Sequence, residues 1–444
     1  MVLPQPTSPP SPSVHPDARE YPQAIGRDHE PFAPKASSHQ NHVPVEIETR
    51  LGKVRGQESI FLHKRVRSFL SVPFAEPPVG EQRFRPPKPK KPWNDTITAN
   101  QLSPACYQGR DMYNTSFWGS EMWNHNTPVS EDCLFMNIWT PAEAYNLTVM
   151  VWLFGGGYYS GSPSLILYDG KALALLGNVV VVNVNYRVGP FGYLYMDDDE
   201  APGNVGMLDQ QLALYWIRDN IFSFGGNPSR VTVFGESAGA ASIVAHLIAP
   251  GSENLFKNGI LQSGSLDNKW SMDTPSRALD KSEQLAHLIG CNRTKVKDTI
   301  ACLRSAPAQI LVDNIWNLNL NFLEFPFVIV SRDRNFFRHK DGFTSLRDGH
   351  YAKNVNLMFG INHDEDKDAK STDIWPEYDH ANNSRWMLLK GGSHVRPMPS
   401  RKKVECDLWR TAKDIEYNSY KTELQLSSAF RISLTSILLV LMLS

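Results

Sequence analysis

The chain has 444 residues, of which 41% are hydrophobic and 20% charged, and its formal net charge is −1. This length suits one large α/β domain or two or three smaller domains. The balanced charge predicts no general attraction to nucleic acid or to acidic membrane surfaces. The sequence contains no C-x-x-C pair, no H-E-x-x-H and no phosphate-binding loop, so it predicts neither a metal site nor a cofactor.

The amino-terminal part of the chain differs in composition from the rest. Residues 1–42 are rich in Pro and Ser and contain no apolar stretch of the kind found in signal peptides. We therefore expect this segment to be disordered. Residues 43–67 then alternate apolar and polar side chains, which predicts antiparallel edge strands. Residues 73–93 form a proline-rich loop that includes the short basic stretch 88–91, interpreted as a solvated surface.

A glycine-rich segment follows the first strongly apolar strand. Thr148–Leu153 is predicted to be a strand, and it leads directly into Gly155–Gly161, which begins with three glycines. Such a triplet is typical of a flexible turn. Beside a catalytic serine it is better explained as backbone that donates N–H groups to an oxyanion, because no side chain then stands between the backbone and the substrate.

The segment around Ser237 has the pattern of a nucleophile elbow. Val231–Phe234 is predicted to be a buried strand, Ala240–Ile248 is predicted to be a helix, and Gly235-Glu-Ser-Ala-Gly239 joins them. Glycine two positions before and after the serine leaves room for a tight turn. The helix amino terminus offers free N–H groups to a developing oxyanion. The alternative is an ordinary glycine-containing turn of an α/β protein.

Further strands and helices alternate along the rest of the chain. The predicted strands are Val179–Val184, Gly259–Ser263 and Val355–Gly360, and the predicted helices are Met207–Phe222, Ser282–Leu288 and Thr294–Arg304. Parallel strands that alternate with helices indicate a doubly wound, mostly parallel sheet with its chemistry at the carboxyl ends of the strands.

The carboxyl-terminal residues 418–444 have the layout of a GPI-attachment signal. Small residues and a polar spacer precede an apolar run that begins at Ile432 and is too short to span a bilayer as a helix. The alternative is a frayed apolar tail or a terminal core helix. A GPI signal predicts the extracellular face of the plasma membrane, or secretion, as the location.

Cysteines and glycosylation sequons together favour an oxidising, secreted environment. The five cysteines are Cys106, Cys133, Cys291, Cys302 and Cys406. The five predicted N-glycosylation sites are Asn94, Asn114, Asn146, Asn292 and Asn382. An odd number of cysteines leaves one thiol without a partner in the chain.

Several motifs in one order resemble the type-B carboxylesterase family. They are Gly119–Asn124, Ser130–Leu134, Phe154–Gly157, Ala201–Gly206 and Gly235–Gly239. The segment around Trp123 is similar to the acetylcholinesterase branch of that family. The resemblance extends from Val43 to Asp366 and resumes from Trp375 to Trp409. It implies an α/β-hydrolase fold for a domain at 43–417 that is incomplete after about residue 366.

The resemblance also implies roles for individual residues of an esterase site. Ser237 corresponds to the acylated nucleophile, and Gly156, Gly157 and Ala238 correspond to the oxyanion hole. Glu365 corresponds to the acid of a Ser-His-Glu triad, although Asp366 stands where the family usually has glycine.

A second set of positions resembles the substrate-binding residues of the family. Trp123 and Glu236 correspond to the site for the quaternary ammonium of a choline ester, which an indole face attracts. Asp111, Tyr159 and Trp316 correspond to gorge and rim residues. Trp270, Phe325 and Phe327 correspond to a small acyl pocket, with aromatic core packing as the alternative for these three.

The resemblance pairs the cysteines and also indicates that a segment is missing. It implies the disulfides Cys106–Cys133 and Cys291–Cys302, whereas the usual partner of Cys406 is absent. The family's catalytic histidine lies beyond the acid, and neither His380 nor His394 stands in a similar segment. One internal deletion explains both absences, and it removes late strands of the sheet.

These observations predict a serine ester hydrolase that converts acetylcholine to choline and acetate through an acyl-Ser237 intermediate. Turnover by this chain is expected to be impaired, because the general base is missing. The alternative is a non-catalytic, cholinesterase-like binding or adhesion protein. The expected partners are a choline ester and a membrane reached through a lipid anchor, and Cys406 makes a disulfide-linked homo-oligomer a further hypothesis.

Overall fold

The computed structural model describes residues 42–112 and 116–360, together with the backbone of residues 385–389 and 395–399. The strands are β1 (Val43–Glu48), β2 (Lys53–Phe61), β3 (Lys64–Pro73), β4 (Ile97–Thr98), β5 (Ala105–Cys106), β6 (Val129–Ser130), β7 (Phe135–Pro141), β8 (Leu147–Leu153), β9 (Val180–Val184), β10 (Tyr195–Asp198), β11 (Ala201–Pro202), β12 (Gly226–Glu236), β13 (Asn258–Gln262), β14 (Met272–Asp273), β15 (Ile329–Val330), β16 (Asn356–Gly360), β17 (Arg385–Leu389) and β18 (Val395–Pro399).

The helices are α1 (Trp118–Glu121), α2 (Lys171–Gly177), α3 (Gly189–Tyr193), α4 (Val205–Asn220), α5 (Ala238–Ile248), α6 (Pro275–Leu288), α7 (Val296–Ser305), α8 (Ala308–Asp313) and α9 (Gly342–Arg347). Short 3₁₀ helices span Gly80–Gln82, Ile166–Tyr168, Ile221–Phe224 and Ile315–Asn317.

A ten-stranded mixed sheet forms the centre of the fold. Its order is β1-β2-β3-β7-β9-β8-β12-β13-β16, with β4 beside β2. In this order β1, β2, β3 and β7 pair antiparallel, and β7 also pairs antiparallel with β9. The short strand β4 pairs parallel with β2. The strands β9, β8, β12, β13 and β16 are all parallel. The predicted α/β class is therefore confirmed, and the parallel part of the sheet carries the candidate site.

The parallel strands are apolar because helices cover them. All five residues of β9 are buried, as are all eleven residues of α5. Parallel strands that are covered on both faces lose the alternation of apolar and polar residues, which explains the continuous apolar pattern of the sequence here. The core around β8, β12 and α5 thus supplies rigid support for the residues at the strand ends.

Successive parallel strands are added on opposite sides of β8. From β8 the chain moves through α2 to β9 on one side, and from β9 it passes through α4 to β12 on the other side of β8. Connections that diverge from two adjacent strands open a crevice at their carboxyl ends, where open α/β sheets bind ligands. Gly155 and Ser237 follow these two strands directly.

Helix α6 begins seven residues before the predicted start. Its first turn has proline at the first position, and the Thr274 side chain accepts a hydrogen bond from the backbone N–H of Arg277 at 3.3 Å. This capping pattern is typical of a helix start. The prediction was late because the charged residues Arg277 and Lys281 interrupt the apolar pattern. Helix α6 is followed by the disulfide Cys291–Cys302, which joins its end to α7 and confirms the predicted pairing.

Strand β16 is the last strand of the sheet within the described part of the chain. It was predicted within one residue of its observed start. Leu357, Met358 and Phe359 are 37–43% exposed, although strand β13 pairs with β16 in parallel. Parallel strands are normally buried on both faces, so these apolar side chains make β16 an incompletely covered strand among the described residues. The predicted loss of later strands stays a prediction.

Part of the chain lies outside the described side chains. The pair β17–β18 is antiparallel, with Arg385 opposite Pro399, and lies between Trp375 and Trp409, where the resemblance to the family resumes. Residues 1–41 and 400–444 lie outside the described residues, and so do Glu365, Asn114, Asn382, Cys406 and the predicted GPI signal. Within the described ranges, no helix has the length and apolarity needed to cross a membrane.

One buried histidine makes the stability of the folded chain depend on pH. His246 of α5 is 1% exposed, and its ring nitrogens hydrogen-bond to Ser252 Oγ at 2.9 Å and to Gln210 Oε1 at 3.1 Å. Burial lowers the pKa of His246 from 6.5 to about 3. The unfolded chain therefore takes up a proton between these values that the native chain does not bind. Stability from this residue is complete above about pH 6.5 and is lost as the pH falls toward 3.

We expect His246→Gln to weaken the pH dependence of folding stability. Urea unfolding at pH 7 and pH 5 measures it, and the wild type should lose about 2 kcal/mol more of its unfolding free energy than the variant over this interval. The exposed His287 on α6 gives the matched control, since His287→Gln should keep the wild-type loss. An unchanged loss in His246→Gln would contradict this account.

Candidate active site

Ser237 lies in a strained turn between β12 and α5. Its φ is 53° and its ψ is −118°, and it is the residue that precedes the first turn of α5. Its backbone N–H donates to Gln262 O of the neighbouring strand β13 at 2.9 Å. Non-glycine residues adopt this conformation only where the surrounding structure imposes it, at a cost of about 1–3 kcal/mol. The turn therefore has the backbone geometry of a nucleophile elbow.

Three glycines around Ser237 have no room for a side chain. A Cβ atom at Gly235 would lie 2.7 Å from Leu153 O, and one at Gly239 would lie 2.0 Å from the same oxygen. A Cβ atom at Gly264 would lie 2.2 Å from Ser237 O. The first two glycines were predicted from the motif. Gly264 was missed because it is distant in sequence and approaches Ser237 only through the pairing of β12 with β13.

Residues Gly155–Gly161 after β8, which we name the glycine loop, lie directly beside the elbow. A Cβ atom at Gly155 would lie 2.7 Å from Glu236 O and 3.1 Å from Ser237 Cβ. Gly156 and Gly157 have φ values of 116° and 58°. Among residues 42–112 and 116–360, no acceptor takes a hydrogen bond from the N–H groups of Gly156, Gly157 or Ala238. Such unpaired donors beside a serine are what an oxyanion hole requires.

Tyr186 contacts Phe154, the residue that precedes the glycine loop. Its hydroxyl donates to Phe154 O at 2.5 Å, and its ring stacks on Phe154 at a centroid distance of 4.1 Å. Sequence analysis missed Tyr186, which is fully buried and would be taken for a core residue. By holding the residue before Gly155, it limits the movement of the glycine loop.

Glu236 places a carboxyl group beside the serine. A Cβ atom at Gly155 would lie 2.8 Å from Glu236 Oε2, so the carboxyl group and Ser237 border the same glycine. Burial raises the pKa of Glu236 above its ordinary value. A partly buried carboxylate in this position supplies negative potential to a cation near the serine.

Four predicted pocket residues form one chain of aromatic contacts. Ring centroids are separated by 4.9 Å between Trp316 and Tyr159, by 5.3 Å between Tyr159 and Phe325, and by 5.7 Å between Phe325 and Trp270. A Cβ atom at Gly157 would lie 2.9 Å from the Phe325 ring. The structure therefore brings Phe325 against the glycine loop, whereas Phe327 is 3% exposed and belongs to the main core.

The loop between Cys106 and Cys133 carries Trp123. These cysteines form the predicted disulfide, with Cα atoms 5.0 Å apart. Trp123 is 53% exposed. Gln108 fastens the loop to the glycine loop, because its side chain donates to Gly161 O at 2.7 Å and accepts from Gly161 N at 2.8 Å.

Two more hydrogen bonds hold this disulfide loop, one to Ser164 outside it and one within it. Asn126 Nδ2 donates to Ser164 O at 2.7 Å, and Asn124 Nδ2 donates to Asp111 O at 2.9 Å. Burial, and to a smaller extent the charge of Asp111, raise the pKa of Tyr159. Asp111 is therefore electrostatically coupled to the aromatic chain, as a rim residue would be. Sequence analysis missed Gln108 and Asn126, since isolated amides carry no recognisable motif.

We expect Gly264→Ala to destabilise the site, because its Cβ would overlap Ser237 O. Overpacking of this kind costs about 1–3 kcal/mol in unfolding free energy. The matched control is Gly109→Ala, whose Cβ would meet no atom within 4 Å. Urea unfolding of both variants measures the difference, and equal stabilities would show that the elbow tolerates a side chain at Gly264.

Comparisons with known proteins agree with this geometry. A profile of the Carboxylesterase family matches residues 43–408. The chain is 63% identical over 322 residues to acetylcholinesterase 4 of Caenorhabditis briggsae, which covers 72% of this chain and 53% of that protein. It is 47% identical over 333 residues to acetylcholinesterase of Electrophorus electricus, which covers 73% and 52%. The chain thus spans about half the length of these curated relatives, and it belongs to the carboxylesterase family.

Proposed function

We propose that this chain carries the nucleophile and the oxyanion hole of a cholinesterase-type site, and that it binds choline esters with little or no turnover. The observation that supports this most directly is the strained Ser237, beside which Gly156, Gly157 and Ala238 have N–H groups with no hydrogen-bond acceptor among the described residues. Two acetylcholinesterases and the mouse cholinesterase, which is 47% identical over 270 residues, suggest the ester class. The mouse protein matches 60% of this chain across 45% of its own length.

In a complete site of this kind, Ser237 Oγ attacks the carbonyl carbon of the acetyl group. The carbonyl π electrons move to oxygen, where the N–H groups of Gly156, Gly157 and Ala238 stabilise the negative charge. The C–O bond to choline then breaks and leaves an acetyl-Ser237 ester. Water attacks this ester, and acetate is released. The proton of the serine hydroxyl must pass through a general base to the departing choline oxygen.

Within the described ranges, no hydrogen bond joins a histidine ring to Ser237. His246 is the one fully buried histidine there, and it is held by Gln210 and Ser252 at the far end of α5. Glu365, the predicted acid, lies outside the described residues. Glu236 borders the serine but comes from the same strand end, and we assign it to attraction of the substrate cation.

The purified chain is therefore expected to hydrolyse acetylthiocholine about 10⁴- to 10⁶-fold more slowly than a complete relative, because a triad without its base loses that much in kcat. Release of thiocholine measures the rate. Ser237→Ala is the control, since a residual rate that survives in it does not come from this site. A rate within about a hundredfold of a complete relative would contradict the proposed impairment.

Binding of the cation is expected to depend on Trp123. Loss of an indole face from a quaternary ammonium costs about 1–2 kcal/mol, so Trp123→Ala should weaken choline binding about 5- to 30-fold in calorimetry. Trp118, which is 58% exposed in the same disulfide loop, gives the matched control. Equal losses in Trp118→Ala and Trp123→Ala, or none in either, would argue against a choline site at Trp123.

The second candidate is a non-catalytic binding or adhesion protein. The absence of a base hydrogen-bonded to Ser237 within the described ranges favours this alternative, whereas the geometry of the elbow and of the glycine loop argues for an esterase site. The two experiments above separate these candidates. Choline binding with a slow rate that Ser237→Ala abolishes supports the impaired esterase, choline binding with no Ser237-dependent rate supports the ligand-binding form, and absence of both supports adhesion.

We also propose that the protein is a glycoprotein on the outside of the cell, held by a lipid anchor. Asn94, Asn146 and Asn292 are exposed, so sugar could be added to each of them. Two disulfides support an oxidising compartment. Deglycosylation and phospholipase C release from cells test the sugar and the anchor separately, and a non-reducing gel tests a dimer through Cys406.

A further inference from the structure

Three polar side chains on one face of α6 point to the segment that carries Phe325. Arg277, Lys281 and Gln284 have the spacing i, i+4 and i+7, which places them on the same side of a helix. The side chain of Lys281 is only 1% exposed, and that of Arg277 is 15% exposed. Burial of a lysine is costly unless its charge is paired, so this arrangement requires specific partners. We name these three residues the α6 clamp.

The α6 clamp holds the segment 319–325 at both ends. Gln284 Oε1 accepts from Asn319 N at 2.9 Å, and Arg277 Nη2 donates to Asn319 O at 2.5 Å. At the other end, Lys281 Nζ donates to Phe325 O at 2.8 Å. All three contacts are hydrogen bonds to backbone groups of the segment. The clamp therefore fixes the backbone of residues 319–325 and not only its side chains.

A partly buried ion pair adds a further contact next to Phe325. Arg277 Nη2 also donates to Glu324 Oε2 at 2.6 Å. Burial opposes ionisation of Glu324, but hydrogen bonds from Arg277 and from the Asn321 backbone outweigh it and lower the pKa of Glu324 to about 2. Glu324 is therefore charged at neutral pH, and the contact is a charge-assisted one.

The clamped segment has no regular secondary structure of its own. Residues 319–325 contain a turn, and Leu323 has a φ of 63°. Regular backbone pairing resumes only at β15, four residues after Phe325. A segment of this kind takes its position from tertiary contacts, and here α6 provides them.

The same lysine also contacts the segment that follows Trp270. Lys281 Nζ lies 2.6 Å from Asp273 Oδ2, and Asp273 stands three residues after Trp270 in strand β14. The Trp270 and Phe325 rings contact each other at 5.7 Å. The buried ammonium group of Lys281 therefore contacts both the backbone of Phe325 and the side chain of Asp273, close in sequence to Trp270.

We propose that the α6 clamp positions Phe325 against the glycine loop and thereby limits the length of the acyl chain that the site accepts. This inference rests on the proposed function, because it takes the space beside Gly157 and Ser237 as the acyl pocket. Phe325 reaches within 2.9 Å of a Cβ position on Gly157, so a small outward shift of segment 319–325 enlarges that space. Residues of the clamp act through Phe325 and are positioning residues.

The first test uses binding of choline, acetylcholine and butyrylcholine in a Ser237→Ala background, where the esters stay intact. The test variants are Arg277→Ala and the double variant Lys281→Met with Asp273→Asn, which leaves no unpaired buried charge. Glu283→Ala on the exposed side of α6 is the matched control. We expect the preference for acetylcholine over butyrylcholine to fall at least about fivefold in both clamp variants, with choline affinity unchanged.

The second test needs no ligand. Hydrogen exchange of a peptide that covers 319–325 should become at least about tenfold faster in the clamp variants and stay unchanged in Glu283→Ala. Circular dichroism identifies folded variants, and Gln284→Ala, which loses a single hydrogen bond, replaces any that does not fold.

The outcomes separate the two proposals. Wild-type exchange in folded clamp variants, or a wild-type acyl preference in variants that bind choline, overturns the positioning role. If the unmodified site binds no choline, the proposed function fails, and the exchange measurement then decides the positioning role alone.

Discussion

The close approach of backbone segments around Ser237 is the constraint on which the rest of the site depends. Leu153 O, at the end of β8, excludes a side chain from Gly235 and from Gly239, and Ser237 O excludes one from Gly264. Only when these segments touch can the chain turn from β12 into α5 within one residue. The resulting strain at Ser237 is held by β8, β12 and α5, whose packing is too dense to relax.

Around this rigid centre, irregular segments are held by individual polar contacts. Gln108 ties the Trp123 loop to the glycine loop, and the α6 clamp ties the segment with Phe325. Loops lack the cooperative hydrogen bonding of sheets and helices, so a few buried polar groups decide their position. The arrangement separates two tasks: the core of the sheet positions Ser237, while polar contacts shape the proposed ligand-binding space beside it.

The parallel part of the sheet ends in an apolar strand that is partly exposed. Leu357 and Phe359 in β16 are more exposed than the residues of β9, all of which are buried, and the chain spans about half the length of its relatives. The elbow does not depend on this edge, because its supports are β8, β12, β13 and α5. The described residues therefore build the elbow without a strand beyond β16.

The sequence by itself determined the elbow, the glycine loop and the strands β8, β9, β13 and β16 within a few residues, because short periodic patterns and motifs encode them locally. The family resemblance supplied both disulfide pairs. Only the tertiary structure decided that Phe325 faces the glycine loop while Phe327 enters the core, and that Gly264 must lack a side chain. It also showed why α6 begins at Pro275: charges that interrupt the apolar pattern of the helix are used in contacts with residues 319–325. Contacts between residues so far apart in the chain depend on packing, which no local pattern records.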